Sequence, residues 1–403
     1  MAATRRISTG VAADELRNAE GQPSELQPVE SEQRVTPLEL FFDLVFVLAI
    51  TQVTTFVSAD PTWKRLIEAL AVMAVLWWAW ESYAWLGNTA ASDEGTMRVV
   101  LLAAMGAMLV VSLAVPRAFG EDALVFGAAY FAVRVLHVGA YAVVSRADAT
   151  LHGAVSRLAK VSLSAASLLV LAGVLSGTPR ALCWIAALAI DYVGLALVGT
   201  GGWRVQAGHF AEHHSAIIII ALGESLVALG VGVAHVHVGS AIITAALLAM
   251  AVAGALWWAY FDVVAIVAER RLRALAPSEQ PRMARDSYTY LHLPMITGII
   301  LLALGLKQTL EAPSVNLRTV PAVALCGGVA LYLIALSAFK RRNVGSFNRP
   351  RLVAAALLLA LIPLATRTSA LLSLALVAAV SCALIAYEVR RYAQARERIR
   401  HGS

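Results

Sequence analysis

The chain has 403 residues, 59% of them hydrophobic and only 14% charged, with a mean hydropathy of +0.73; a water-soluble fold of this length could not hide so much apolar surface. Its net charge of +6 comes from 28 Arg and 4 Lys set against 26 acids, an excess that reads as basic loops facing anionic lipid and not as a nucleic-acid surface. Cys183, Cys326 and Cys382 lie in apolar stretches without CxxC spacing, which excludes a disulfide framework.

Residues 1–34 are polar, mixed in charge and without an apolar signal region, so they read as a flexible cytoplasmic tail with no cleavable leader. About twelve stretches then suit transmembrane helices of roughly 20 residues: 36–57, 66–87, 98–116, 122–145, 159–177, 180–200, 211–233, 239–267, 287–308, 319–339, 351–367 and 369–390. The pattern predicts an all-α polytopic membrane protein. Only a short Thr-Ser turn separates the last two stretches.

The first helix carries Glu39 and Asp43 four residues apart, hence on one face, beside Phe42. A carboxylate at membrane depth costs a few kcal/mol and persists only with partners, water or a task. The second helix holds Leu76-Trp77-Trp78-Ala79-Trp80 followed by Glu81. On the fourth, Tyr130, Arg134, His137 and Tyr141 follow one face, and the guanidinium requires a buried counter-ion, for which Asp43, Asp191 on the sixth helix and Glu224 on the seventh are the candidates.

The seventh helix opens Gly208-His-Phe-Ala-Glu-His-His and continues to Gly223-Glu224-Ser225. His209 and His213 are four apart, with Glu212 and His214 adjacent. A shared metal is one reading of that spacing; a hydrogen-bonded cap or pH-responsive gate is the commoner one, and no metal is assigned. Glu224 sits at mid-membrane beside a glycine that permits close backbone approach. The eighth helix repeats the aromatic motif as Leu256-Trp257-Trp258-Ala259-Tyr260, with Asp262 following. Two six-helix halves in parallel orientation, 35–203 and 204–392, with a cytoplasmic tail 393–403, are therefore expected. His235 and His237 fall in the external loop between helices seven and eight.

With the N-terminus inside, 24 Lys and Arg fall on the cytoplasmic side and 7 opposite, Arg134 lying within a span. This favours both termini in the cytoplasm and an even number of crossings. No P-loop, GxSxG elbow, HExxH or dinucleotide fingerprint occurs in a credible context.

The run Arg34-Val-Thr-Pro-Leu-Glu-Leu-Phe-Phe-Asp-Leu-Val-Phe-Val47 resembles the opening signature of the bacterial low temperature requirement A family, and His209-Phe-Ala-Glu-His-His with the later Ile-Ala-Leu-Gly-Glu-Ser resembles its second. The resemblance covers nearly everything after residue 34 and implies Glu39, Phe42, Asp43, His209, Glu212, Gly223 and Glu224 as the marked positions, in the inner membrane of a bacterium. One departure stands out: the family usually reads Glu-Arg where this chain has Glu212-His213, and Gly where Ser215 stands. The resemblance brings no settled substrate or reaction and no cofactor.

The leading reading is a proton- or cation-coupled transporter or channel-like protein in which Asp43 and Glu224, one from each half, form a central acidic pair, with Arg134 as the neutralising charge and the Trp pairs and His213 framing the cytoplasmic entrance. Glu39, Glu81, His137, Asp191, Glu212 and Asp262 complete the ionisable set. The alternative is an intramembrane enzyme on a lipid or isoprenoid, in which a buried neutral acid protonates substrate and Phe42, Trp77, Trp78, Trp80, Trp257 and Trp258 steady a carbocation. A third reading is a structural, stress-adaptive membrane protein. The partners are the bilayer and a proton, cation or lipid-like substrate, with no nucleic acid; assembly into a homo-oligomer stays open.

Overall fold

A computed structural model describes residues 34–89, 95–232 and 238–401; the N-terminal tail before residue 34 and the loop carrying His235 and His237 lie outside them. The described residues contain no strand, and eleven helices are long and apolar enough to cross a bilayer. In chain order these are α1 Pro37–Ala59, α2 Trp63–Gly87, α3 Gly95–Arg117, α4 Ala123–Ala147, α5 Ala149–Val174, α6 Gly177–Val198, α7 Ala207–Gly232, α8 Ser240–Arg273, α9 Gln280–Glu311, α10 Thr319–Val344 and, after a gap, α12 Ala370–Arg391. The gap holds the stretch expected at 351–367. It forms α11 as two pieces, Arg349–Ala360 and Ile362–Ala365, because Pro363 has no N–H to give and its ring crowds the carbonyl four residues back.

α11 nonetheless runs back along the bundle. At one end Arg351 pairs with Glu388, near the close of α12; at the other the Ala370 and Leu371 amides donate to the Val315 and Pro313 carbonyls, both at 2.9 Å. α11 therefore returns the chain to the side from which α10 set out, although it is shorter than the eleven candidate spans among the described residues. The final residues form a thirteenth helix, α13 Ala393–His401, where a simple tail was expected.

Two helices are interrupted where they carry polar groups. α6 passes through a π turn at Ile190–Gly194 and α9 through another at Ala284–Thr289. A π turn widens the helix and frees backbone groups for other partners. The Thr289 carbonyl uses that freedom, accepting from the Trp77 indole at 2.9 Å. α8 breaks at Asp262, after which Val264–Arg273 continues as a basic, amphipathic helix.

α9 and α10 pack backbone to backbone: a Cβ on Gly298 would stand 2.6 Å from the Gly328 carbonyl oxygen and one on Gly328 would stand 2.7 Å from that of Gly298. Small residues let the backbones touch, which in lipid replaces the hydrophobic drive to associate. α1, α2, α7 and α9 meet in the middle of the bundle. The packings α3 on α4, α4 on α5, α5 on α6, α1 on α3 and α2 on α6 have counterparts six helices later in α9 on α10, α10 on α11, α11 on α12, α7 on α9 and α8 on α12.

Candidate functional site

Where α1, α2 and α7 meet, three carboxylates face three imidazoles. The start of α1 is fixed by a reciprocal cap: Glu39 N–H donates to the Thr36 hydroxyl and the Thr36 amide donates to Glu39 Oε2 at 2.8 Å. The same Oε2 lies 3.2 Å from His209 Nε2. One turn deeper Asp43 Oδ1 lies 3.1 Å from His213 Nε2 and accepts from the Trp80 indole at 2.7 Å. The i, i+4 spacing on both helices thus sets two acid–imidazole rungs, one above the other. His214, next along α7, turns to α2, with Nε2 3.1 Å from Glu81 Oε2.

Glu81 uses both of its carboxylate oxygens. Its Oε1 accepts from the Trp85 indole at 2.9 Å and from the Thr289 hydroxyl. His214 Nδ1 lies 2.8 Å from the Phe210 carbonyl oxygen, and a carbonyl can only accept, so Nδ1 carries a hydrogen. A neutral ring then has only a lone pair at Nε2. The contact with Glu81 closes only if one further proton sits between the two, on the carboxyl or on the ring. Behind His214 the chain of contacts runs to His292, 5.0 Å away ring to ring, whose Nε2 accepts from the Tyr260 hydroxyl at 2.9 Å while its Nδ1 donates to the Tyr288 carbonyl.

The cluster is buried and incompletely bonded among the described residues. Asp43 is 0% exposed, and Glu39, Glu81, His209, His213 and His214 are all buried. Glu39 Oε1, Asp43 Oδ2 and the Nδ1 atoms of His209 and His213 have no hydrogen-bond partner among the described residues. Each such atom carries the desolvation cost of an unmade bond, so the arrangement is poised to take up a proton or a donor. Phe42, Trp77, Trp78 and Trp80 surround it and are buried with it.

Arg134 stands apart from this cluster. It is 0% exposed and fully engaged: Nη2 donates to Asp191 at 3.0 Å, Nε to Ser162 at 2.7 Å, and Nη1 to Ser82 at 2.6 Å. Of the three proposed counter-ions Asp191 is the one it meets, in the π turn of α6. The network ties α2, α4, α5 and α6 together. His137, one turn on, has neither ring nitrogen bonded among the described residues and faces a chamber of about 50 Å³ that Glu81, Trp85, Tyr141 and Trp203 also line.

The remaining expected residues fall elsewhere. Glu224 faces Thr51 of α1, eight residues and about 12 Å beyond Asp43 along the helix, so the two acids expected to pair are separated. Gly223 has nothing within 4 Å of a built Cβ, and no backbone approaches it closely. Glu212 is exposed and accepts from the Val35 amide at 3.3 Å; His209 and His213 go to different carboxylates, so no shared ligand set forms around them. Asp262 pairs with Arg396 at 2.5 Å at the basic end of α8, and Trp257 and Trp258 are 44% and 36% exposed, away from the buried tryptophans. Tyr260, Tyr288, Thr289 and His292 join the cluster without having been singled out. Their trace in the sequence is the Tyr288–His292 spacing of four inside an apolar helix, a pattern weaker than an isolated carboxylate.

The model of the bacterial low temperature requirement A protein family matches residues 34–386. The chain belongs to this family. Among curated relatives, the low temperature requirement A chain described here is 29% identical to a Rhizobium meliloti (strain 1021) protein named "Uncharacterized protein RA0937", over 320 residues that make up 75% of this chain and 76% of that one. No solved structure matches it. Of the positions that the resemblance implies, Glu39, Asp43 and His209 lie inside the acid–imidazole cluster, whereas Glu212 and Glu224 lie outside it. His213, at the position where the sequence departs from the pattern the resemblance implies, supplies the imidazole that meets Asp43.

Proposed function

We propose that this low temperature requirement A protein is a proton-coupled transporter of the bacterial cytoplasmic membrane, with the Glu39–His209, Asp43–His213 and Glu81–His214 contacts as its proton-binding site. The observation that carries the proposal is the set of three buried acid–imidazole contacts in one connected cluster. Each contact can hold one proton as a neutral pair, and releasing it leaves a buried carboxylate that the imidazole N–H can still hydrogen-bond.

The site lies toward the arginine-rich ends of the helices, which the positive-inside bias assigns to the cytoplasm together with both termini. Beyond Asp43 along α1 and α7 come the buried apolar residues Phe46, Ile50, Ile217 and Ala221, then Glu224 beside Thr51, and near the end of α9 Lys307, which donates to Ser58 at 2.7 Å. We read the apolar stretch between Asp43 and Glu224 as the gate. The matched packing of helices one to six and seven to twelve supports two parallel halves that move against each other.

The test is flux. Purified protein in vesicles containing a pH-sensitive dye is expected to carry protons down an imposed gradient, alone or in exchange for potassium or sodium; flux equal to empty vesicles in every gradient contradicts the proposal. A second reading, acid-initiated catalysis, draws on the aromatic chamber beside Glu81. Its volume of about 50 Å³ is well under the 300 Å³ or more typical of ligand pockets, which weighs for protons over an isoprenoid.

A further inference from the structure

A second site lies at the opposite flank of the bundle, where the end of α8, the end of α10, the start of α11 and the end of α12 enclose a cavity of about 410 Å³ beneath α13. Its charges do not cancel. Glu388 is consumed by Arg351, which donates Nε at 2.9 Å and Nη2 at 2.8 Å, and by Asn348 at 2.7 Å. Asp262 is consumed by Arg396, through Nε and Nη2, with Arg400 3.6 Å away. What remains is cationic: Arg351 is buried, yet its Nη1 has no partner among the described residues, and Lys340 and Arg349 line the same cavity without an acid of their own. The Asn343 side-chain oxygen, also buried and without a partner, adds an acceptor beside them.

The cavity continues into an open groove of about 810 Å³ between α11 and α12, sharing Arg349, Pro350 and Tyr392 with it. The groove is apolar, with exposed Val353 and Leu357 on one wall and Ala383 on the other. A cationic pocket at the end of the helices, opening into an apolar groove along them, matches a molecule with one anionic head and long hydrocarbon tails.

We propose that this cavity and groove bind one anionic glycerophospholipid, its phosphodiester held by Arg351 Nη1, Lys340 and Arg349, a headgroup hydroxyl donating to Asn343, and its acyl chains lying between α11 and α12. Arginine and lysine in a partly dry pocket recognise phosphate by charge-assisted hydrogen bonds. α13 covers the head pocket, latched by Arg396 on Asp262 and stacked over Trp258 at 5.5 Å. The site is independent of the proton cluster, and nothing in its argument requires transport.

The test uses the full chain in neutral detergent and measures binding of dioleoylphosphatidylglycerol, dioleoylphosphatidylcholine and water-soluble glycerol phosphate by native mass spectrometry and thermal shift. Phosphatidylglycerol is expected to bind at least tenfold tighter than phosphatidylcholine. Lys340→Gln and Arg349→Gln are each expected to weaken it about fivefold, the ratio equivalent to the ~1 kcal/mol typical of a basic side chain at an anionic surface. Ala383→Trp, on the exposed wall of the groove, is expected to weaken both lipids while leaving the protein folded. Equal binding of the two lipids overturns the proposal. So does glycerol phosphate matching phosphatidylglycerol, which would make the site one for free phosphate, and so does unchanged affinity in all three variants.

Discussion

Asp43→Asn is expected to lower proton flux through reconstituted protein by roughly a hundredfold, the lower end of what a positioned proton donor or acceptor contributes. The carboxylate is 0% exposed and stands between the Trp80 indole and His213 Nε2. An amide of the same shape still accepts from Trp80, so the bundle is retained. It cannot take up a proton, so the contact with His213 no longer stores one. His213→Gln removes the other half of the same contact and is expected to produce a loss of the same order, and the double variant little more than either alone, because both changes break one exchange. Glu212→Gln, on an exposed residue outside the cluster, serves as the control with wild-type flux. Dye-loaded vesicles read all four; wild-type flux in Asp43→Asn would remove the acid–imidazole contact from the path.

Arg134→Met is expected to destabilise the protein by about 3–5 kcal/mol, the usual cost of leaving one member of a buried ion pair alone. The change strands Asp191, 3.0 Å from the lost guanidinium, and leaves Ser162 and Ser82 without their donor. Because an apolar pair of similar volume removes the stranded charge as well, Arg134→Met with Asp191→Leu is expected to recover most of the loss. Thermal unfolding in detergent measures both. A single variant as stable as wild type would mean that the network bears no weight in joining α2, α4, α5 and α6. A double variant worse than the single one would mean that the cost lies in packing and not in charge.

The acids were legible in the sequence because a carboxylate in an apolar helix is anomalous wherever it falls; Glu39, Asp43 and Glu81 are all in the cluster, and Asp191 is the counter-ion that Arg134 needs. The i, i+4 pairs on α1 and α7 were equally legible as single faces, but nothing in a linear pattern says that the two faces meet. The expected pairing of Asp43 with Glu224 failed for that reason: it assumed equal depth from hydropathy, whereas the helices set Glu224 against Thr51, about 12 Å further along α1. The aromatic motif misled in a related way. Trp77 and Trp80 turn inward, but in the second copy only Tyr260 does, while Trp257 and Trp258 face outward. The break in α11 was not expected, although Pro363 lies within the stretch 351–367 read as one helix, and the π turn that brings Thr289 to Glu81 had no signature short of the structure itself.

The central claim is that the buried carboxyl groups of α1 and α2 exchange protons with imidazoles of α7. Infrared difference spectroscopy of the purified protein across a pH step, with isotope-labelled histidine, reads both partners at once. The account predicts a protonated-carboxyl band that shifts in deuterium oxide, appears together with an imidazole change, and vanishes in Asp43→Asn and Glu81→Gln; a spectrum with no pH-dependent carboxyl band, or one that both variants leave intact, would contradict it.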